Sequence, residues 1–130
     1  MSAKKSTVLI DSWAWIEYFK GSKFGVKARP YIEGKEEVVV STINVAEVYT
    51  FLLRKKKEEA EELIKFLLKT SFVIPITSEI ALEAAKNKVE KKMGMADAIV
   101  LATANNQKTK ILTGDDDFLN EENIIYIGEK

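Results

Sequence analysis

Short apolar runs separated by longer segments with helical spacing restrict the fold of this chain more than any other feature. The runs span only a few residues and are rich in β-branched side chains, which indicates buried strands. We place them at residues 7–10, 38–40, 72–76, 110–113 and 124–127. Continuous apolar strands that alternate with helices are typical of a parallel sheet covered on both faces. The pattern predicts an α/β fold with three layers, α/β/α.

The segments between the strands repeat apolar residues at helical spacing. We place the predicted helices at residues 13–19, 23–33, 44–54, 55–69, 79–92 and 97–106. Thr42 or Asn44 is expected to cap the third helix, and Thr77 or Ser78 the fifth, because short polar side chains bond free N–H groups at helix starts. Gly94 is expected to end the fifth helix.

The length of the chain, 130 residues, fits one domain spanning residues 1–130, and 46% of the residues are hydrophobic. No apolar run approaches the roughly 18 residues needed to span a bilayer. The start of the chain is basic, but the apolar stretch behind it reaches Asp11 too soon for a signal peptide. We therefore expect a cytoplasmic protein.

The sequence contains no cysteine and no histidine. These absences exclude disulfides, thiolate nucleophiles, zinc sites built from Cys and His, and general acid–base catalysis by imidazole. Any enzymatic chemistry must use carboxylates, hydroxyls, lysines or a metal ion held by oxygen ligands. Charge is balanced, with 20 basic and 20 acidic residues, so no overall field marks a nucleic-acid binder.

Aspartates occur at only three places in the chain, and each place borders an apolar segment. Asp11 follows the first strand, Asp97 opens the last helix, and the run 115–117 follows the fourth strand. Each has an ordinary alternative: a helix cap for Asp11, a first-turn acid favoured by the helix dipole for Asp97, and a turn for residues 115–117. Within the run we favour Asp115, then Asp117, as site residues and expect Asp116 to be solvated.

Glu47 is the fourth candidate, because it shares a helix face with Ile43 and Phe51 rather than with other charges. An exposed glutamate at the margin of the helix is the alternative. Sites in parallel sheets gather outside the carboxyl ends of the strands, where these acids are expected to converge. Two carboxylates about 4 Å apart repel by about 4 kcal/mol at an effective dielectric near 20. A divalent cation would neutralise them, and an all-oxygen ligand set selects Mg²⁺ or Mn²⁺.

The motifs that carry these acids resemble those of PIN-domain ribonucleases, particularly VapC-type toxins of type II toxin–antitoxin pairs. The resemblance covers nearly the whole chain in family order. It lies in Val8–Ser12 with Trp15–Ser22, in Ser41–Glu47, in Ala96–Ala104 and in Thr113–Phe118. Trp13 is a departure, because related sequences often carry a small or polar residue there.

The resemblance implies that the catalytic and metal-binding acids are Asp11, Glu47, Asp97 and Asp115, with Asp117 as a further ligand and Ser12 and Thr113 in support. It also implies a toxin that cleaves RNA with Mg²⁺ or Mn²⁺, a small antitoxin partner and a homodimer. The chemistry would be hydrolysis of a phosphodiester by metal-activated water.

Lysines near the acids are candidates for binding the RNA backbone, with a solvated surface as the alternative for each. We name Lys20, Lys88, Lys91 and Lys92. Trp15, Tyr18 and Tyr49 are candidates for stacking on bases, or else for the core or a dimer interface.

Two other folds with an acidic site are excluded, because this chain lacks residues that each of them requires. A haloacid-type phosphatase needs a second aspartate two residues after the first, where this chain has Trp13. A receiver domain needs paired acids near its start and a lysine after a late strand. The remaining alternative is a PIN-like module that binds RNA or protein without cleaving.

Overall fold

The computed structural model describes residues 6–129, so residues 1–5, which include Lys4 and Lys5 of the basic start, and Lys130 lie outside the described part of the chain. Within it, strands alternate with helices. In chain order the elements are β1 (Thr7–Ile10), α1 (Ser12–Lys20), α2 (Lys23–Ile32), β2 (Glu37–Ser41), α3 (Thr42–Lys55), α4 (Ala60–Thr70), β3 (Ser71–Ile74), α5 (Ser78–Lys91), α6 (Met95–Gln107), β4 (Lys110–Thr113), a 3₁₀ turn (Asp116–Phe118) and β5 (Ile124–Tyr126).

The strands form one parallel sheet, as predicted, and the structure gives their order as β3-β2-β1-β4-β5. The chain adds β2 and β3 on one side of β1 and then crosses to place β4 on the other side. The strand order therefore reverses at β1 and β4. In open parallel sheets this reversal leaves a crevice beyond the carboxyl ends of the two strands.

Alternate residues of the central strands point to opposite faces of the sheet. Val8 and Ile10 pack into one core with α1, α2, α3 and α4, whereas Leu9 and Ile111 pack into a second core with α5 and α6. The predicted three layers, α/β/α, are confirmed. No helix within residues 6–129 is both long and apolar enough to cross a membrane.

The cap of α3 differs from the prediction. Ser41 is the capping residue, and its Oγ accepts the N–H of Ile43 at 3.2 Å. Asn44 completes the capping box by accepting the N–H of Ser41 at 2.9 Å. Thr77 caps α5 as predicted, by accepting the N–H of Ile80.

The junction between α5 and α6 also differs. Gly94 was expected to end α5, but Lys92 occupies the left-handed conformation there (φ 56°) and Gly94 begins α6 with ordinary extended geometry. The left-handed residue that ends α5 is therefore Lys92, two positions before Gly94. As a result α6 starts at Met95, and Asp97 lies inside its first turn rather than at its start.

Two further boundaries shift by a few residues. β3 ends at Ile74, before Pro75, rather than continuing to residue 76, because proline has no N–H to donate to a strand ladder. The helix predicted from Lys55 begins at Ala60, since Lys55 still belongs to α3.

Candidate metal centre

Asp11 and Thr113 lie side by side at the carboxyl ends of β1 and β4. The pairing of Ile10 with Leu112 continues one step further, where the N–H of Asp11 donates to the carbonyl of Leu112 at 3.0 Å. Asp11 is buried, and its side chain makes no cap hydrogen bond to α1, so the capping alternative for this residue is wrong. Instead its Oδ2 accepts a hydrogen bond from Oγ1 of Thr113 at 2.9 Å.

The loop after β4 folds around the same threonine. The N–H of Asp115 donates to Oγ1 of Thr113 at 3.0 Å, so one hydroxyl contacts both Asp11 and the backbone of Asp115. Oδ1 of Asp115 in turn accepts the N–H of Asp117 at 2.9 Å and caps the 3₁₀ turn. Asp116 is exposed, as expected, and accepts a hydrogen bond from the hydroxyl of Tyr126 at 2.5 Å.

Three carboxylates meet beyond these strand ends. One oxygen from each of Asp97, Asp115 and Asp117 lies within 4.8 Å of the other two. Asp97 reaches the group from the first turn of α6, and the other two reach it from the loop after β4. The structure thus brings together acids that are almost 20 residues apart in the chain.

Burial and mutual repulsion raise the pKa of two of the acids. Desolvation is the main cause for Asp11, whose pKa rises to about 6 although hydrogen bonds from Thr113 and from the N–H of Ser12 oppose the shift. Desolvation also dominates for Asp97, whose pKa rises to about 7, with further increases from the charges of Asp115 and Asp11 and from a hydrogen bond with Asp117. Among residues 6–129, no basic side chain contributes to either shift, so the acids of this region act mainly on one another.

Glu47 is connected to Asp11 through the side chain of Ser12. It is exposed on α3 and is not a member of the group of three carboxylates, although its charge contributes to the raised pKa of Asp11. Its Oε1 accepts a hydrogen bond of 2.7 Å from Oγ of Ser12, the residue that follows Asp11. The exposure of Glu47 agrees with the alternative of a glutamate at the margin of the helix, and its side-chain contact with the site is this hydrogen bond from the buried Ser12.

Asn44 was treated only as a possible cap, and the sequence reasoning missed its place beside the acids. Its side chain is fully buried, and its Nδ2 donates to Oγ of Ser12 at 2.9 Å. The signal was present in the sequence as a polar residue one helical turn before Glu47, on a helix face otherwise made of apolar residues.

The structure gives most of the candidate lysines a partner within the protein. Nζ of Lys20 lies 3.0 Å from Glu17, and Nζ of Lys91 lies 3.2 Å from Glu121. Nζ of Lys88 is 3.5 Å from the carbonyl of Met93, and Lys92 forms the C-cap of α5. All of them are exposed, so a phosphate can still approach them.

The candidate aromatics fall into different environments. Trp15 is completely buried among Tyr18, Phe19 and Phe66, so its role is in the core, the alternative named for it. The hydroxyl of Tyr18 donates to Glu33 at 2.6 Å.

Trp13 packs against Gly114, the residue between Thr113 and Asp115. A Cβ at position 114 would lie 2.3 Å from the end of the Trp13 ring, so any larger residue there would force the ring or the loop to shift. The ring also makes an edge-to-face contact with Phe24, 5.4 Å between centroids, and packs against the first core. The absence of a side chain at Gly114 thus leaves room for the large residue at position 13.

Comparison with known proteins agrees with this architecture. The family model of the PIN domain matches residues 8–121. The chain belongs to the PIN-domain family. The match contains every acid of the site, from Asp11 to Asp117. Comparison of this PIN domain with curated proteins gave no match.

Solved structures similar to this PIN domain include a toxin–antitoxin complex from Klebsiella pneumoniae, with 26% identity, a TM-score of 0.81 and coverage of 95% of this chain and 99% of the other. VapC20 of Mycobacterium tuberculosis, described as a toxin that cleaves the sarcin–ricin loop, has 17% identity, a TM-score of 0.74 and coverage of 88% and 95%. DNA-bound VapBC from Salmonella typhimurium has 12% identity, a TM-score of 0.75 and coverage of 94% and 98%. The last two demonstrate likeness of fold alone.

Proposed function

We propose that this PIN domain is an endoribonuclease that depends on Mg²⁺ or Mn²⁺ and hydrolyses phosphodiester bonds of RNA. The observation that carries the proposal is the meeting of Asp97, Asp115 and Asp117 within 4.8 Å, next to the buried Asp11. A cluster of acids with no basic side chain among its members has a clear chemical use as the holder of a divalent cation.

The donor set fits a hard cation. Every candidate ligand is a carboxylate oxygen, which favours Mg²⁺ or Mn²⁺ over zinc in a chain without cysteine or histidine. Burial is the main cause of the raised pKa values of Asp11 and Asp97, and the charges of neighbouring carboxylates raise them further. A divalent cation would replace the protons that these acids otherwise retain.

In the proposed site Asp11, Glu47, Asp97 and Asp115 hold the metal, and Asp117 contributes a further oxygen. When bound, the metal supplies an activated water and neutralises negative charge at the phosphate. Thr113 fixes the orientation of Asp11 relative to Asp115 through its two hydrogen bonds. Ser12, the residue after Asp11, orients the carboxylate of Glu47 through its own hydrogen bond. Such outer contacts keep metal ligands in place and maintain their basicity.

We further propose that the chain is the toxin of a toxin–antitoxin pair, restrained by a small antitoxin and acting as a homodimer in the cytoplasm. Support comes from the Klebsiella pneumoniae complex, which is similar over almost the full length of both chains. The exposed lysines Lys20, Lys88, Lys91 and Lys92 are the proposed contacts for the RNA backbone. Because the metal-activated water does not require a ribose hydroxyl, the choice of RNA over DNA rests on family likeness.

A PIN-like module that binds RNA or protein without cleaving is the second candidate. The retention of all the acids weighs against it, because a binding surface for an anionic polymer gains nothing from a repulsive group of carboxylates. The two candidates differ in whether metal stimulates cleavage.

The test is incubation of the protein with total RNA in Mn²⁺ or in EDTA, followed by sequencing of newly formed ends, with Asp11→Ala as control. We expect discrete new ends that require Mn²⁺ and disappear with Asp11→Ala. If Mn²⁺ produces no new ends with any RNA in the pool, the nuclease proposal is wrong and the binding module is favoured.

A further inference from the structure

A chain of hydrogen bonds runs from the backbone of β2 to the exposed carboxylate of Glu47. The N–H of Ser41 donates to Oδ1 of Asn44 at 2.9 Å, Nδ2 of Asn44 donates to Oγ of Ser12 at 2.9 Å, and Oγ of Ser12 donates to Oε1 of Glu47 at 2.7 Å. We propose that Asn44 is a positioning residue of the metal centre, which acts through Ser12 to hold Glu47 as a metal ligand. This inference rests on the proposed function.

The chemistry of each group fixes the direction of the chain. A backbone N–H can only donate, so the oxygen of the Asn44 amide must face Ser41 and its nitrogen must face Ser12. An amide nitrogen can only donate, so the Ser12 oxygen accepts from it. The single proton of the Ser12 hydroxyl is then directed to Glu47. Asn44 thereby converts a hydroxyl that can rotate into a donor aimed at one carboxylate oxygen.

The burial of the three side chains shows why Glu47 needs such a contact. Asn44 is fully buried and Ser12 nearly so, whereas Glu47 is exposed. An exposed glutamate in water samples several rotamers, and fixing it requires a contact that offsets the lost freedom. The three aspartates of the cluster have short side chains, and Oδ1 of Asp115 is held by the N–H of Asp117, whereas Glu47 extends from α3 on a longer side chain. The buried pair formed by Asn44 and Ser12 supplies a rigid anchor.

Asn44 also belongs to the capping box of α3, so a loss of stability alone does not reveal a positioning role. Ser41 provides the matched control. Its hydroxyl caps the same helix by accepting the N–H of Ile43, while only its backbone N–H enters the chain towards Glu47. The Ser41→Ala variant therefore weakens the same helix start and leaves the contacts of Asn44, Ser12 and Glu47 intact.

The experiment measures Mn²⁺ binding by titration calorimetry for the full chain and for Asn44→Ala, Ser12→Ala, the double variant and Ser41→Ala. We expect Asn44→Ala and Ser12→Ala each to weaken Mn²⁺ binding by about 10-fold, the lower end for residues that orient ligands. Because Asn44 acts through Ser12, the double variant should bind no more weakly than Ser12→Ala alone. Ser41→Ala should lower the melting temperature without altering Mn²⁺ affinity.

If Asn44→Ala fails to fold, Asn44→Ser replaces it, because serine retains an acceptor for the N–H of Ser41 and lacks the amide nitrogen that donates to Ser12. Unchanged affinity in the Asn44 variant, or losses that multiply in the double variant, would overturn the positioning role while leaving the proposed function standing. If the parent protein itself bound no Mn²⁺, both the proposed function and this inference would be overturned.

Discussion

The hydroxyl of Thr113 donates a 2.9 Å hydrogen bond to Oδ2 of Asp11, although the two residues are 102 positions apart in the sequence. Adjacent parallel strands bring them together, because β1 and β4 end side by side at the point where the strand order reverses. The same hydroxyl accepts the N–H of Asp115. One buried side chain therefore sets the spacing between an acid of β1 and the acids that follow β4.

Replacing Thr113 by valine should affect both stability and metal binding. Valine has nearly the same shape but leaves the N–H of Asp115 and one oxygen of Asp11 without this partner. We expect a loss of about 1–3 kcal/mol in the free energy of unfolding, typical of a buried polar group left unsatisfied, and weaker Mn²⁺ binding. Urea denaturation and calorimetry measure the two effects. Thr113→Ser, which retains the hydroxyl, should lie close to the parent, and equal losses in both variants would contradict the role of the hydrogen bonds.

The Asp11→Asn variant should be more stable than the parent when no metal is present. Burial raises the pKa of Asp11 from 3.8 to about 6, so the ionised carboxylate destabilises the folded state at neutral pH. A shift of this size corresponds to roughly 2–3 kcal/mol, which the neutral amide removes while still accepting the hydrogen bond of Thr113. Urea denaturation in EDTA at pH 7.5 measures the gain. Added Mn²⁺ should stabilise the parent more than the variant, and a variant less stable than the parent in EDTA would contradict the argument.

The stability of the metal-free protein should fall as the pH rises through the range set by Asp97. Its pKa is about 7 in the folded protein, mainly through desolvation, against 3.8 as the ordinary value. Between pH 3.8 and about pH 7 the folded state binds more protons than the unfolded state. The contribution of Asp97 to stability is therefore greatest near pH 3.8 and is lost towards pH 7. Melting temperatures in EDTA from pH 5 to pH 8 measure this trend. In the Asp97→Asn variant the melting temperature should fall less steeply with pH. If it falls equally steeply in the parent and the variant, Asp97 is not responsible for the trend.

Metal binding should show the opposite pH dependence, since the cation competes with protons for the same oxygens. Mn²⁺ affinity should therefore increase from pH 5.5 to about pH 7, with proton release on binding that is visible as a buffer-dependent heat in calorimetry. Affinity that does not vary with pH over this interval would argue that Asp11 and Asp97 do not contact the metal.

The run of three aspartates allows a matched comparison of neighbouring acids. Asp115→Asn should reduce metal-dependent RNA cleavage by more than about 100-fold, above the range usual for residues that merely orient ligands. Asp116→Asn changes the same charge one residue away, outside the group of three carboxylates, and should retain most of the activity. Initial rates on the RNA identified from the cleavage pool measure both. Equal losses would indicate a general effect of charge in this loop.

The contact between Trp13 and Gly114 can be tested by a change of size. Gly114→Ala places a Cβ 2.3 Å from the Trp13 ring, so the ring or the loop that carries Asp115 must move. We expect a loss of about 1–3 kcal/mol in stability and lower activity, as for other overpacked sites. Adding Trp13→Ala to the Gly114→Ala variant should restore part of the lost stability and part of the lost activity. Gly94→Ser provides the control, because a Cβ there meets no atom within 4 Å and serine is a favoured helix cap.

The sequence alone determined the elements and the positions of the acids along the chain. Strands and helices follow from apolar periodicity within a few residues, and the α/β/α layers follow from their alternation. The short apolar runs that predict β1 and β4 also place Asp11 and Asp115 just after the ends of these strands. The prediction was wrong where neighbours in space decide, as at the start of α3, where Ser41 takes the capping position because β2 ends there. For Trp15 the sequence left stacking on bases and the core open, and the structure places it in the core.

Only the tertiary structure decided how these residues meet. Asn44, Ser12 and Glu47 are bonded across 32 and 35 positions of the chain, and no local periodicity encodes such a pairing. The order β3-β2-β1-β4-β5 places the ends of β1 and β4 together and makes Thr113 a partner of Asp11. Local spacing predicts which side chains of one helix or strand lie on the same side. The order of the strands decides which strand ends are neighbours and so which side chains meet at the site. The grouping of Asp97 with Asp115 and Asp117, with Glu47 held separately by Ser12, depends on that order.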